Sequence, residues 1–154
     1  MREIERISDQ LKRAFEGHAW HGPAVKEVLE GITVQQALAR PFLSGHTIWE
    51  LVLHIGAWSN TIRRRVAGEV LDQPVEGDFP EVLERTGAAW ADALSWLEKT
   101  HVELSRAIAA LEDSKLDQPV YEGSKTSLYV LLHGGIQHYS YHAGQIALLK
   151  KASG

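Results

Sequence analysis

Apolar residues recur along most of this chain at steps of three and four, the spacing that gathers side chains on one face of an α-helix. Ile4, Ile7, Leu11, Phe15 and His18 follow it and predict a first helix over about residues 3–18. Gly22-Pro23 breaks the pattern. Pro23 is placed to open a short helical extension through Val25, Val28 and Leu29, and Thr33 to cap one turn through Leu38 before Pro41 ends it. A second long stripe, Ile48, Leu51, Ile55, Trp58 and Ile62, predicts a helix over about residues 46–67. Thr47 and Glu50 have capping-box spacing at its start, and Gly68 is placed to end it. A third stripe repeats in heptads as Leu83, Trp90, Leu97, Leu104 and Leu111, with Leu94, His101 and Ile108 on the partner positions, and predicts a helix starting near Pro80. A fourth, Leu128, Leu132, Gly135, Tyr139, His142, Ile146 and Leu149, predicts a helix over about residues 126–151, with Lys150 and Lys151 at the negative end of its dipole.

No segment alternates as a strand does. The string Leu-Asp-Gln-Pro-Val occurs at residues 71–75 and again at 116–120, but both copies fall in predicted loops with unlike flanks, so no repeat architecture follows. The expected fold is therefore all-α, a single domain over residues 1–154. Four helices joined by long connections imply a four-helix bundle whose topology the pattern leaves open.

A chain of 154 residues can bury a full core. Sixteen basic against twenty acidic residues give a net charge of −4, and no basic run exceeds Arg63-Arg64-Arg65, which argues against a dedicated nucleic-acid binder. There is no cysteine, so disulfides, thiolate ligands and cysteine nucleophiles are excluded. The charged start, Met1-Arg2-Glu3-Ile4-Glu5-Arg6, lacks the apolar core of a signal peptide, and no apolar run reaches membrane-spanning length. A cytoplasmic protein is the expectation.

The candidate chemistry lies in histidines. His138 and His142 stand four apart on the fourth predicted helix, which puts both imidazoles on one face. His54 sits on the edge of the second stripe, between Leu51 and Trp58. Imidazoles on a core seam must find partners for both ring nitrogens. Coordination of one divalent ion by all three would supply them. Three core histidines hydrogen-bonded to backbone carbonyls would be the structural alternative, and the pattern alone leaves both open.

The segment His138-Tyr139-Ser140-Tyr141-His142-Ala143-Gly144-Gln145-Ile146, together with Leu53-His54-Ile55, resembles the DinB-like superfamily of damage-inducible, metal-dependent proteins. The stretch from His18 to Val25 and the turn around Thr33 to Ala37 resemble that family's exit from its first helix. The resemblance covers most of the chain. It implies a four-helix bundle with a divalent metal held by three histidines, which carry over to His54, His138 and His142. Imidazole suits Zn, Ni, Cu or Fe alike; Zn or Ni is the expectation. Such a site keeps coordination positions open and can lower the pKa of a bound water or bind a thiolate.

The implied activities are thiol S-transfer, with a low-molecular-weight thiol, and hydrolysis. The alternative is a non-catalytic, metal-containing stress-response or binding bundle. With no cysteine or evident serine nucleophile, the metal must supply activation, and Glu50, four residues before His54, is the candidate carboxylate. Gln145, Glu50 and backbone carbonyls are the candidate acceptors for the outer ring nitrogens. The partners expected are a small-molecule substrate and a second copy of the chain, with no nucleic acid and no membrane. His133 should face away from the site, and His46 should be exposed or part of a cap. His101 occupies a seam position as a hydrogen-bonded core histidine or a pocket residue. Tyr139 and Tyr141 flank the ligands as candidate cleft residues, and the five tryptophans read as core and boundary packing.

Overall fold

Six α-helices and no sheet make up the computed structural model, which describes all 154 residues. Four are long: α1 (Glu3–Glu16), α4 (Ile48–Val66), α5 (Gly87–Ala109) and α6 (Leu128–Ala152). Two five-residue helices, α2 (Val25–Leu29) and α3 (Val34–Leu38), lie within the connection from α1 to α4, where a short helical extension and a capped turn were expected, so the chain has six helices, four of them long. A 3₁₀ turn at Asp113–Lys115 follows α5. The sole strand-like feature is an isolated bridge between Pro119 and Ser127. No helix is long and apolar enough to cross a membrane.

The long helices form a ring. α4 packs against α5 and α6, and α1 packs against the same two from the opposite side. Chain order therefore runs along the diagonals from α1 to α4 and from α5 to α6, which is why those connections are long. The inner faces follow the apolar stripes: Ile4, Ile7, Leu11 and Phe15 of α1, Ile48, Leu51, Ile55 and Ile62 of α4, Leu97, Leu104 and Ile108 of α5, and Leu132, Tyr139 and Ile146 of α6 are all buried. Burying a large apolar side chain stabilises by roughly 1.5–3 kcal/mol, so these stripes account for the ring.

Local signals fix most ends. Thr33 and Thr47 accept from the backbone N–H groups of Gln36 and Glu50, completing capping boxes. The Asp113 carboxylate accepts from Glu3 N and Ile4 N at 2.8 and 2.9 Å and so caps α1 from across the molecule. Lys150 Nζ donates to Glu30 O at 2.6 Å and ties α6 to the end of α2.

Two predicted ends differ. α1 stops at Glu16; His18 lies beyond Gly17 at φ +63°, exposed and off the stripe. α5 starts at Gly87, not near Pro80, because Thr86 accepts from Ala89 N as its N-cap. Leu83 is consequently exposed instead of leading the heptad stripe.

The 20 residues between α4 and α5 run back along α4. Arg65 Nε donates to Leu71 O at 2.8 Å, Asn60 Nδ2 to Glu76 Oε1 at 2.6 Å and Trp58 Nε1 to Asp78 Oδ1 at 2.7 Å. This succession of contacts delivers Asp78 and Phe79 to the middle of α4, where His54 lies.

Candidate metal centre

His54 projects from α4 and His138 and His142 from successive turns of α6, across the packed α4–α6 interface. Their Nε2 atoms form a near-equilateral triangle: His54 to His138 2.9 Å, His54 to His142 3.1 Å and His138 to His142 3.1 Å. The structure thus brings together all three histidines singled out in the sequence, and they are a group of side chains that could hold one metal ion. His54 and His142 are buried and His138 is half-buried.

The outer nitrogens determine what faces inward. His54 Nδ1 lies 2.6 Å from Asp78 O, and a carbonyl only accepts, so Nδ1 carries the proton and Nε2 presents a lone pair. His142 Nδ1 lies 2.6 Å from Gln145 Oε1 and is held in the same tautomer. Two lone pairs therefore meet head-on at 3.1 Å with no proton between them. His138 can bring one proton on Nε2, but it cannot lie in the His54–His142 contact.

Protonating the rings is disfavoured. Burial pushes the pKa of His54 and His142 down, against the raising effects of Asp78 and Gln145, respectively. His138 is lowered to about 3, first by burial and then by its two histidine neighbours. A Lewis acid satisfies what a proton does not. Two nitrogens each about 2.1 Å from one ion stand about 3.0 Å apart at a right angle and about 3.4 Å at a tetrahedral angle, so the observed triangle fits a shared ion.

Aromatic rings wall the cluster. Phe79 stacks on His54 at 4.1 Å, and His46 stacks on the other side of Phe79 at 3.6 Å. Tyr141 meets His142 edge-on at 5.1 Å while staying exposed. Next to this wall, a groove of about 330 Å³ is lined by Phe42, His46, Leu51, Gln145 and Leu148 among others.

Other candidates fall elsewhere. Glu50 is engaged by Thr47 N at 2.9 Å, Arg40 Nη2 at 2.5 Å and His46 Nδ1 at 3.3 Å. Those contacts make it a capping and ion-pairing residue, and they hold its carboxyl below the usual range despite burial. Gln145, one of the candidate acceptors, is the one that engages the outer nitrogen of His142. Tyr139 is fully buried and points into the core, where its hydroxyl meets Ser59 Oγ at 2.9 Å and His101 Nδ1 at 3.2 Å. Ser59 donates to Ile55 O, so Tyr139 donates to Ser59 and His101 donates to Tyr139. His101 is thus a neutral core histidine, stacked on Phe15 at 3.8 Å, with its pKa lowered to about 4 by burial. His133 packs on Tyr129, and His18 and His21 stay outside the cluster. Trp20 departs from the expectation for the tryptophans: it is fully exposed.

Sequence reasoning missed Asp78 and Phe79. Both lie in an irregular loop, where helical periodicity places nothing; the only signal was an aromatic residue between Gly77 and Pro80 in a long loop.

A family model described as the DinB superfamily matches residues 19–146 of this chain. Among solved structures, the crystal structure of a conserved protein from Enterococcus faecalis is similar at a TM-score of 0.69 and 16% sequence identity, over 99% of this chain and 98% of that one. At that identity the likeness speaks to the fold alone. No curated protein sequence matches.

Proposed function

The chain belongs to the DinB superfamily, and within that fold we propose that it is a metal-dependent enzyme whose divalent ion, Zn or Ni, is held by His54, His138 and His142. The four long helices are then the family's four-helix bundle, with α2 and α3 carried in its first connection. The observation that carries the reading is the His54–His142 contact: two tautomer-locked lone pairs at 3.1 Å, buried, with no proton available to bridge them.

When bound, the ion would act as a Lewis acid that favours the anionic form of an acidic partner, since three neutral imidazoles leave its charge uncompensated. The protein's own contribution is orientation and shielding. Asp78 O and Gln145 Oε1 hold the two outer N–H groups and with them the ring planes. Phe79 covers one face of His54, which limits water there.

Thiol S-transfer fits this site better than hydrolysis. Stabilising a thiolate needs no protein base, whereas activating water benefits from one. Glu50 is committed to the cap and to Arg40. The Asp78 carboxylate lies 3.3 Å from His54 Nδ1, on the outer side of the ring. The substrate would be a small molecule carrying an electrophilic centre, with a low-molecular-weight thiol as co-substrate. The test is turnover of metal-loaded protein against a panel of small thiols and electrophiles, with ester and amide substrates beside them. Metal-dependent consumption of thiol supports the reading; ester or amide cleavage alone would move it to hydrolysis, and inertness of the fully loaded protein to a binding role.

A further inference from the structure

On the side of the ring opposite the α4–α6 interface, α1 and α5 enclose a second groove, of about 370 Å³. The two helices run antiparallel, since Asp113, just past the end of α5, caps the start of α1. The lining residues therefore pair off along the groove. Glu16 and His101 stand at one end, Lys12 and Ser105 in the middle, and Ser8 and Arg106 towards the other.

The first end is rich in acceptors. His101 is 2% exposed, and its ring is fixed by stacking on Phe15 and by the Nδ1–H that it donates to Tyr139. Its Nε2 is therefore a lone pair, and burial keeps the ring from taking up a second proton near neutrality. Ser105 Oγ lies 3.4 Å from this nitrogen and Glu16 Oε1 3.7 Å from it. The serine can give one proton over a long contact; the carboxylate can give none. Two acceptors side by side call for a donor that carries positive charge.

The other end is rich in donors. Arg106 is exposed, and none of the ion pairs of the fold engages it. Lys12 reaches Glu16 Oε2 only at 3.8 Å, in an exposed pair that a ligand displaces at small cost. Ser8 lines the groove with its hydroxyl oxygen buried and without a hydrogen-bond partner. Positions four residues apart on either helix are separated by about 6 Å along its axis.

We propose that this groove binds a small zwitterion, with an ammonium group donating to Glu16 and His101 Nε2 and a carboxylate at Lys12 and Arg106, the two held apart by a short methylene chain. Val102 and Ala109 supply an apolar wall for that chain. The arrangement discriminates against singly charged ligands. An amine alone leaves the two cations unanswered, and a carboxylate alone leaves the acceptor pair without its donor.

The probe is 4-aminobutyrate, whose charged ends lie about one helical turn apart, compared with glycine, butylamine and butyrate. Imidazole nitrogen NMR reads the site directly. 4-Aminobutyrate should move the His101 Nε2 signal towards that of a hydrogen-bonded nitrogen, leave those of His54, His138 and His142 in place, and saturate with a Kd of about 1 mM or below. Glycine, too short to span the two ends, and the singly charged probes should bind more weakly. Glu16→Gln and Arg106→Ala, at positions outside the core, should each weaken 4-aminobutyrate by about tenfold, the worth of one charge-assisted hydrogen bond. A His101 signal that does not move, a response to glycine or butylamine equal to that of 4-aminobutyrate, or unchanged affinity in both variants would each overturn the proposal.

Discussion

The indole of Trp96 occupies the space where a β-carbon on Gly56 would stand: a Cβ built there lies 2.3 Å from the nearest ring carbon. Gly56 is two residues from His54, on the helix pair α4–α5 that shares the most extensive contact in the fold. Two effects oppose each other in Gly56→Ala. Helix propensity gains about 1 kcal/mol, and overpacking costs about 1–3 kcal/mol or more when the neighbour is a rigid ring. The clash should win. Urea denaturation should show a net loss of about 1–2 kcal/mol, together with weaker metal binding as α4 shifts. Unchanged stability would show that Trp96 swings aside freely.

The outer hydrogen bonds of the proposed ligands make separable predictions. Gln145→Ala removes the only acceptor holding His142 Nδ1 and should weaken metal affinity by about 10–100-fold. Asp78→Asn keeps the carbonyl that holds His54 and should cost far less. Competitive titration against a chromophoric chelator would measure both. A larger loss for Asp78→Asn would assign the orienting role to the carboxylate instead.

His101 contributes a pH dependence that does not involve metal. Its folded pKa, about 4, is below the unfolded value near 6.5, so between these values the unfolded chain binds the extra proton. Stability is therefore unaffected above about pH 6.5 and falls as pH drops from there towards 4, by up to about 1.4 kcal/mol per unit from this residue. In metal-free protein, His101→Leu should lose stability less steeply than wild type over that window. Identical slopes in denaturation series at pH 7.5, 6 and 5 would remove His101 from the account.

Much of this was legible because helices write their faces into the sequence. The α6 stripe from Leu128 to Leu149 put His142 on the inner seam, and Leu51 and Trp58 bracketed His54; the structure places both rings inside. What periodicity cannot do is place irregular chain or choose between competing starts. Residues 80–86 carried the heptad phase of Leu83 but lost it to the cap at Thr86. Asp78 and Phe79 reach His54 only because Arg65, Asn60 and Trp58 steer the loop back along α4, a set of contacts invisible in one dimension. His101 illustrates the opposite case: its seam position was plain, but its fate as a core donor depended on Tyr139 and Ser59, from two other helices.

The most direct test is calorimetric titration of Zn or Ni into metal-free protein near pH 7.5, for wild type and for the His54→Ala, His138→Ala, His142→Ala and His133→Ala variants. The account predicts one ion per chain in wild type and His133→Ala, and loss of stoichiometric binding in each of the other three. Folded-state binding should also raise wild-type stability by about 2.7 kcal/mol at metal one hundredfold above Kd, a gain absent in His142→Ala and lost only when the pH falls far enough to protonate His54 and His142, whose pKa values burial holds below the ordinary imidazole value. Equal stoichiometry and equal stabilisation in wild type and His142→Ala would contradict the account and make the triad a cluster of core histidines.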